Sequence, residues 1–171
     1  MQKDVRKLIF VFLFLFTEQF SQGQSRKDTI KFVSTISKRY LDLLFNERRI
    51  DSVAAYWTKE TYDDLAAVYN KGKIHYIDNK ELLTFFSKDF YSYFRDIKRP
   101  IKFSQTEIPI LIEDDDGFKH VLIRLSIKGN IKIDSTLGPI FLDFVSKDHG
   151  KTWLVNDDHW IKQFMYFRYR K

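Results

Sequence analysis

The chain has 171 residues, 44% of them hydrophobic and 17% aromatic, which fills one domain well and is short for two. Charged residues make up 30% and alternate in sign along the chain, a composition that argues against wholesale disorder. The formal charge is +6 and cysteine is absent, which excludes disulfide frameworks, thiol nucleophiles, cysteine-metal sites and a lipid-modified N-terminal cysteine.

The N-terminus reads as a targeting segment. Lys3, Arg6 and Lys7 precede the apolar run Leu8 to Phe16, and a polar stretch with Ser21 and Gly23 follows. A basic start, a short apolar centre and small residues before a cleavage point are the parts of a secretory signal peptide. The expected signal covers residues 1–23, with cleavage before Gln24 and a single α+β domain over 24–171. The apolar run is nine residues long, and a bilayer span needs about 20. No membrane span is therefore expected after cleavage, and the expected location is the bacterial periplasm or exterior. Removal of Lys3, Asp4, Arg6, Lys7 and Glu18 with the signal lowers the formal charge to +5. The basic residues are scattered over Arg48-Arg49, Arg95 to Lys102 and Arg168 to Lys171, with no nucleic-acid-binding module around them. Nucleic acid is not an expected partner; an anionic envelope surface is the simpler electrostatic match.

In chain order, Asp28 or Thr29 is expected to cap a first helix whose apolar stripe is Ile30, Val33, Ile36, Tyr40, Leu41, Leu44 and Phe45. Asp51 or Ser52 starts a short turn, VAAYW, and Thr58 starts another helix that Gly72 ends. KIHYI at 73–77 alternates like a strand. Asp78 with Glu81 three residues on caps a longer helix, and Pro100 ends it. From residue 101 the apolar period falls from 3.6 to 2. Strands are expected at 101–113, 118–128, 139–147 and 151–157, with a bulge or edge position near Pro109. In the second strand Val121, Ile123, Leu125 and Ile127 share one face; His120, Leu122, Arg124 and Ser126 share the other. The turns are DDDG at 114–117, a Gly129-Asn130 corner and KDHG at 147–150. The aromatic, basic tail HWIKQFMYFRYRK is expected as a final strand or short helix.

Helices first and antiparallel strands second give an α+β fold. With YLDLLFNERRIDSVAAYW in the opening helices and the closing SKDHGKTWLVND hairpin, residues 28–157 resemble the nuclear transport factor two-like superfamily, which also holds ketosteroid isomerases and polyketide-cyclase-like proteins. The resemblance implies a cone. N-terminal helices pack in the concave face of a bent antiparallel sheet, a pocket opens at the wide end, and sheet-mediated homodimers are common. No Tyr-Asp motif of that superfamily aligns here, so no catalytic residue is carried over. Tyr56, Trp57 and Tyr62 are expected at the mouth of the cone. Arg124 and Asp143 are charged residues inside apolar strands, so they either face solvent or line the pocket, paired with each other.

SKDHGKTW, residues 146–153, fits the Asp-box pattern S/T-x-D-x-G-x-T-W of sialidase-type propellers. The pattern needs Asp148 to accept loop amides, Gly150 for a positive-φ position and Trp153 to pack inward. Those needs are structural, and one copy cannot build a propeller. EDDDG at 113–117 gathers carboxylates that suit a hard cation but lacks the EF-hand spacing. His75, His120, His149 and His159 do not form the zinc-hydrolase patterns, and no P-loop, Rossmann or G-x-S-x-G motif is present, so neither a metal nor a cofactor is expected. Asp157-Asp158-His159 is the nearest approach to a metal cluster. Three readings remain: a non-catalytic exported domain that binds a small ligand or an envelope protein through its pocket or sheet face; an isomerase- or dehydratase-like enzyme using a pocket carboxylate; and an accessory glycan-binding protein. The first is the primary reading.

Overall fold

The computed structural model describes residues 25–70, 78–95, 99–128, 139–159, 161–162 and 164. The expected signal segment, the helix stop at Gly72, the strand at 73–77, the corner at 129–130 and most of the C-terminal tail lie outside the described residues.

Among the described residues, four α-helices precede the sheet: α1 (Arg26–Leu41), α2 (Ile50–Ala54), α3 (Lys59–Asn70) and α4 (Asn79–Tyr93). The cap of α1 is Ser25, three residues ahead of the expected Asp28. Its hydroxyl accepts the Asp28 amide at 3.2 Å and donates to the Asp28 carboxylate at 2.6 Å. Asp28 is thus the acid of the first turn, where negative charge meets the unpaired amides. The apolar stripe outlasts α1 and runs into a π-helical turn, Asp42–Glu47, which buries Leu43, Leu44 and Phe45. At α4 the expected cap forms, with the Asp78 carboxylate accepting the Glu81 amide at 2.8 Å.

Five strands follow among the described residues: β1 (Lys102–Gln105), β2 (Ile110–Glu113), β3 (Lys119–Lys128), β4 (Ile140–Ser146) and β5 (Leu154–Asp158). All ladders are antiparallel, in the order β1-β3-β4-β5 with β2 also on β3. The expected single strand over 101–113 is two strands sharing one edge of β3. Gln105 faces Leu125 and Ile110 faces Leu122, so the edge spends residues 106–109 where β3 spends only 123 and 124. This is a bulge, and Pro109, which has no amide to donate, lies within it. The bulge lifts Glu107 and Ile108 out of the ladder.

Side chains alternate across a strand, so the two faces of the sheet separate, apart from the end of β4, where Phe144, Val145 and Ser146 are all buried. Val121, Ile123 and Leu125 of β3, Ile140, Leu142 and Phe144 of β4, and Val155 of β5 join the helices in one buried cluster. Helix residues in that cluster include Val33, Tyr40, Leu65, Phe86 and Phe90. Phe86 and Phe90 stack with centroids 5.2 Å apart, and Phe164 meets both rings edge-on. The architecture is α+β, with helices preceding an antiparallel sheet.

Candidate functional site

The sequence placed Tyr56, Trp57, Tyr62, Arg124 and Asp143 around one cavity. The structure divides them between the two faces of the sheet. Tyr56, Trp57 and Tyr62 come together on the helical side. Trp57 is buried, meets the Tyr62 ring edge-on at 5.4 Å, and bridges to Val155 at the margin of β5. Tyr56 meets the Tyr40 ring edge-on at 5.9 Å. Burial and the nearby Asp51 carboxylate raise the Tyr62 phenol above its ordinary range.

Behind this aromatic group runs a buried polar chain that the sequence did not reveal. The Trp57 indole donates to the Tyr40 hydroxyl at 3.1 Å, and that hydroxyl donates to the Asp158 carboxylate at 2.7 Å. Asp158 also accepts the Ile161 amide at 3.1 Å and is only 2% exposed. Burial, then the Asp158 charge, push the Tyr40 phenol well above its ordinary value, so it stays a donor. A buried carboxylate needs such donors; the chain pins α1 to β5, two elements separated by more than a hundred residues.

Arg124 and Asp143 stand on the opposite, outer face. Inward side chains at Val121, Ile123 and Leu125 force the intervening residues of β3 outward. Register places Leu122 opposite Asp143 and Arg124 opposite Phe141. Of the placements expected for Arg124 and Asp143, the pairing with each other does not form; each has a different partner. The bulge delivers Glu107 to the Arg124 guanidinium, which also lies 5.1 Å over the Phe141 ring in a cation–π contact. Asp143 instead meets His120, whose Nδ1 is 3.1 Å from both carboxylate oxygens, and accepts the Asn156 amide at 2.9 Å.

Of these groups, Glu107, Arg124, Phe141 and Asp143 line a cleft of about 240 Å³. Ile108 and Glu107 of the bulge form its rim. Ile110, Leu122 and Phe141 form an apolar floor beside Arg124, and Asp143 with Asp157 forms an acidic wall. Ile108 is 84% exposed, and Ile110, Ile112, Leu122, Phe141 and Leu154 are also exposed. Asp143 and Asp157 face each other across β4 and β5. Like charges in that position repel. The repulsion is offset from both ends, by His120 and Asn156 on Asp143 and by Lys162, 3.2 Å from Asp157. His159 meets the Phe141 ring edge-on at 5.8 Å.

The other motifs resolve into turns. Asp148 receives four donors: the Ser146 hydroxyl at 2.8 Å, the Lys151 and Thr152 amides at 3.1 and 2.8 Å, and the Thr152 hydroxyl at 2.7 Å. Those hydrogen bonds, led by the Thr152 amide, pull its carboxyl down to about 2. His149 and Gly150 both have positive φ, 58° and 92°, and the Trp153 indole donates to the Gly150 carbonyl at 3.1 Å. In the acidic loop Asp114 accepts the Asp116 and Phe118 amides at 3.1 and 2.8 Å. Burial pushes its carboxyl up, but the Phe118 amide, the His120 ring and the Asp116 amide outweigh it and hold the group below its ordinary range. Among the described residues no group of three His, Asp or Glu side chains converges to hold a metal ion, and no helix is long and apolar enough to cross a membrane. No family model matches the chain, and no curated protein or solved structure matches it.

Proposed function

We propose that this chain is an exported, non-catalytic binding domain that takes its ligand on the outer face of the sheet, in the cleft between the β1–β2 bulge and β5. The observation that carries the reading is the composition of that cleft: an exposed apolar floor of Ile110, Leu122 and Phe141 beside Arg124, Asp143 and Asp157. Exposed apolar surface rimmed by charge is what binding sites present to solvent. Small-molecule sites commonly enclose about 300–1,000 Å³. A cleft of about 240 Å³ is smaller and open, so it suits a compact ligand with an apolar body and a polar end. The acidic wall favours a hydrogen-bond donor or a cation at that end. Export rests on the basic, apolar and polar segments of residues 1–23, and the reading makes the ligand a component of the cell envelope or exterior.

A second occupant is favoured by one further observation. Ile112 and Leu154 extend the exposed apolar stripe beyond the cleft across β2 and β5. A protein surface, including a second copy of this chain in a homodimer, would cover that stripe. The likeness of the helix order to the nuclear transport factor two-like superfamily supports the same use of the sheet. The enzymatic alternative needs a carboxylate in an enclosed cavity; Asp143 stands in an open cleft, and its two oxygens are occupied by His120 and Asn156.

The test is a screen of small amines and amides with short apolar bodies, followed by methyl NMR of the Ile and Leu residues. Binding should perturb Ile108, Ile110 and Leu122, and Leu122→Glu should abolish it while preserving the fold. Sedimentation of the wild type and Leu122→Glu then separates the occupants. A dimer that the variant dissociates favours the second copy, and a monomer favours the ligand.

A further inference from the structure

Asp143 of the cleft wall is held by a histidine, His120, whose two contacts cannot both be satisfied by a neutral ring. His120 Nδ1 lies 3.1 Å from Asp143, and Nε2 lies 3.3 Å from Asp114. Ionised carboxylates only accept hydrogen bonds, and a neutral imidazole has a single N–H to donate. Asp114, held below the ordinary carboxyl range, is ionised near neutrality. The arrangement therefore matches the imidazolium, which donates from both nitrogens.

The surroundings of the ring show which contact yields when the proton leaves. From β2 the cross-strand neighbour is Ile112, and from β4 it is Val145, neither of which carries charge. On the β2–β3 turn Asp114 faces the ring, while Asp115 and Asp116 are exposed. From β4 Asp143 faces it, and from β5 Asn156 reaches Asp143 rather than the ring. Lys147, just past the end of β4, sits over the Phe118 ring at 5.5 Å and pairs with Glu60 at 3.5 Å. The Asp143 side chain is 16% exposed and fixed in the middle of the sheet, whereas Asp114 is 37% exposed on a turn.

We propose that His120 is a proton-operated pin behind the cleft wall, acting on the cleft through Asp143. As imidazolium it ties the β2–β3 turn to Asp143 and offsets the Asp143–Asp157 repulsion. On losing its proton it keeps Asp143, turns a lone pair toward Asp114 and releases the turn. The cleft wall gains one net negative charge at the same step. Proton binding and a cation in the cleft are thereby set against each other. The assignment of the switch to a ligand site rests on the binding reading above; the response of the turn does not.

The test follows the full chain by NMR and hydrogen exchange between about pH 5 and 8, the interval in which imidazoles change charge. Protection factors of the Gly117 and Phe118 amides are the turn readout, and the Leu122 methyls, opposite Asp143, are the cleft readout. With rising pH, turn protection should fall about tenfold, the order of one lost charge-assisted hydrogen bond. The Leu122 signals should move with the same midpoint as the His120 ring. Asp114→Asn, which leaves the His120–Asp143 contact in place, should abolish the turn response and keep the Leu122 response. His120→Gln should abolish both. A turn response that survives in a folded His120→Gln or in Asp114→Asn overturns the proposal, as does a ring that keeps one charge state throughout. If the turn responds while Leu122 does not, the coupling to the cleft is refuted and the binding reading stands. If no amine or amide binds while both readouts respond, the switch stands and the binding reading fails.

Discussion

The inner and outer faces of β3 differ in what they do with similar side chains. Ile123 is 2% exposed and packed against the helices; Leu122, its neighbour, is 39% exposed on the other side. The inner face is continuous with the aromatic cluster of α4 and the buried Tyr40–Asp158 chain. The outer face leaves Ile110, Ile112, Leu122, Phe141 and Leu154 in solvent, buries Val145, and sets Arg124, Asp143, Asp157 and His120 among them. One face serves stability, and the other holds groups whose placement packing does not require. Repelling carboxylates, an edge bulge and a doubly contacted histidine all fall on the same side.

Paired substitutions break or sharpen this division. Phe144 is fully buried on the inner face of β4, and Phe141, three residues earlier, is 44% exposed on the outer face. Phe144→Ala should cost about 3–5 kcal/mol in urea unfolding, because it opens a cavity in a packed core. Phe141→Ala should cost less than about 1 kcal/mol, in the range of exposed positions, while weakening ligand capture. Similar losses at the two positions would erase the distinction. Next in size is Tyr40→Phe. It leaves Asp158 without its hydroxyl donor and the Trp57 indole without its acceptor, so a loss of about 1–3 kcal/mol is expected by the same measurement. A neutral result would show that the chain is not a structural tie.

The hairpin at Asp148 gives a pH-dependent contrast. Its carboxyl falls from an ordinary 3.8 to about 2 in the folded chain, so folding favours the ionised form. The stabilisation is complete above the unfolded value and is lost as pH falls through the folded one. Thermal melts of the wild type should therefore decline between about pH 4 and pH 2. Asp148→Asn should flatten that part of the profile, and an unchanged acid limb would remove Asp148 from the account. The smallest expected effect is at the rim. Glu107→Gln removes an exposed ion pair with Arg124 and should change stability by about 0–1 kcal/mol. Its consequence should appear in binding, as a guanidinium freed toward the cleft.

Much of the architecture was legible before the structure. The switch from period 3.6 to period 2 at residue 101, the Asp78 cap and the alternation of β3 all follow from local chemistry. The alternation even contained the correct placement of Arg124: if Val121, Ile123 and Leu125 point inward, Arg124 points out. Its charge within an apolar strand left two placements open, solvent or pocket, and the alternation points to the first. The irregularity near Pro109 was visible as well. Its consequence, Glu107 raised over Arg124, depends on a register between strands that local sequence does not encode. Ser25 and Asp28 both carry capping oxygens, and only the backbone geometry decides between them. The Tyr40–Asp158 contact and the His120 contacts to Asp114 and Asp143 are tertiary, so no spacing rule reaches them.

The central claim is that ligand capture belongs to the outer face of the sheet. Methyl NMR of the full chain, with a bound small amine or amide taken to saturation, tests it most directly. The account predicts the largest shifts at Ile108, Ile110 and Leu122, with Leu65, Leu125 and Ile140, which lie in the core away from the cleft, unmoved. Shifts concentrated on Leu65, Leu125 and Ile140, with the outer methyls silent, would place the site among the helices and contradict it.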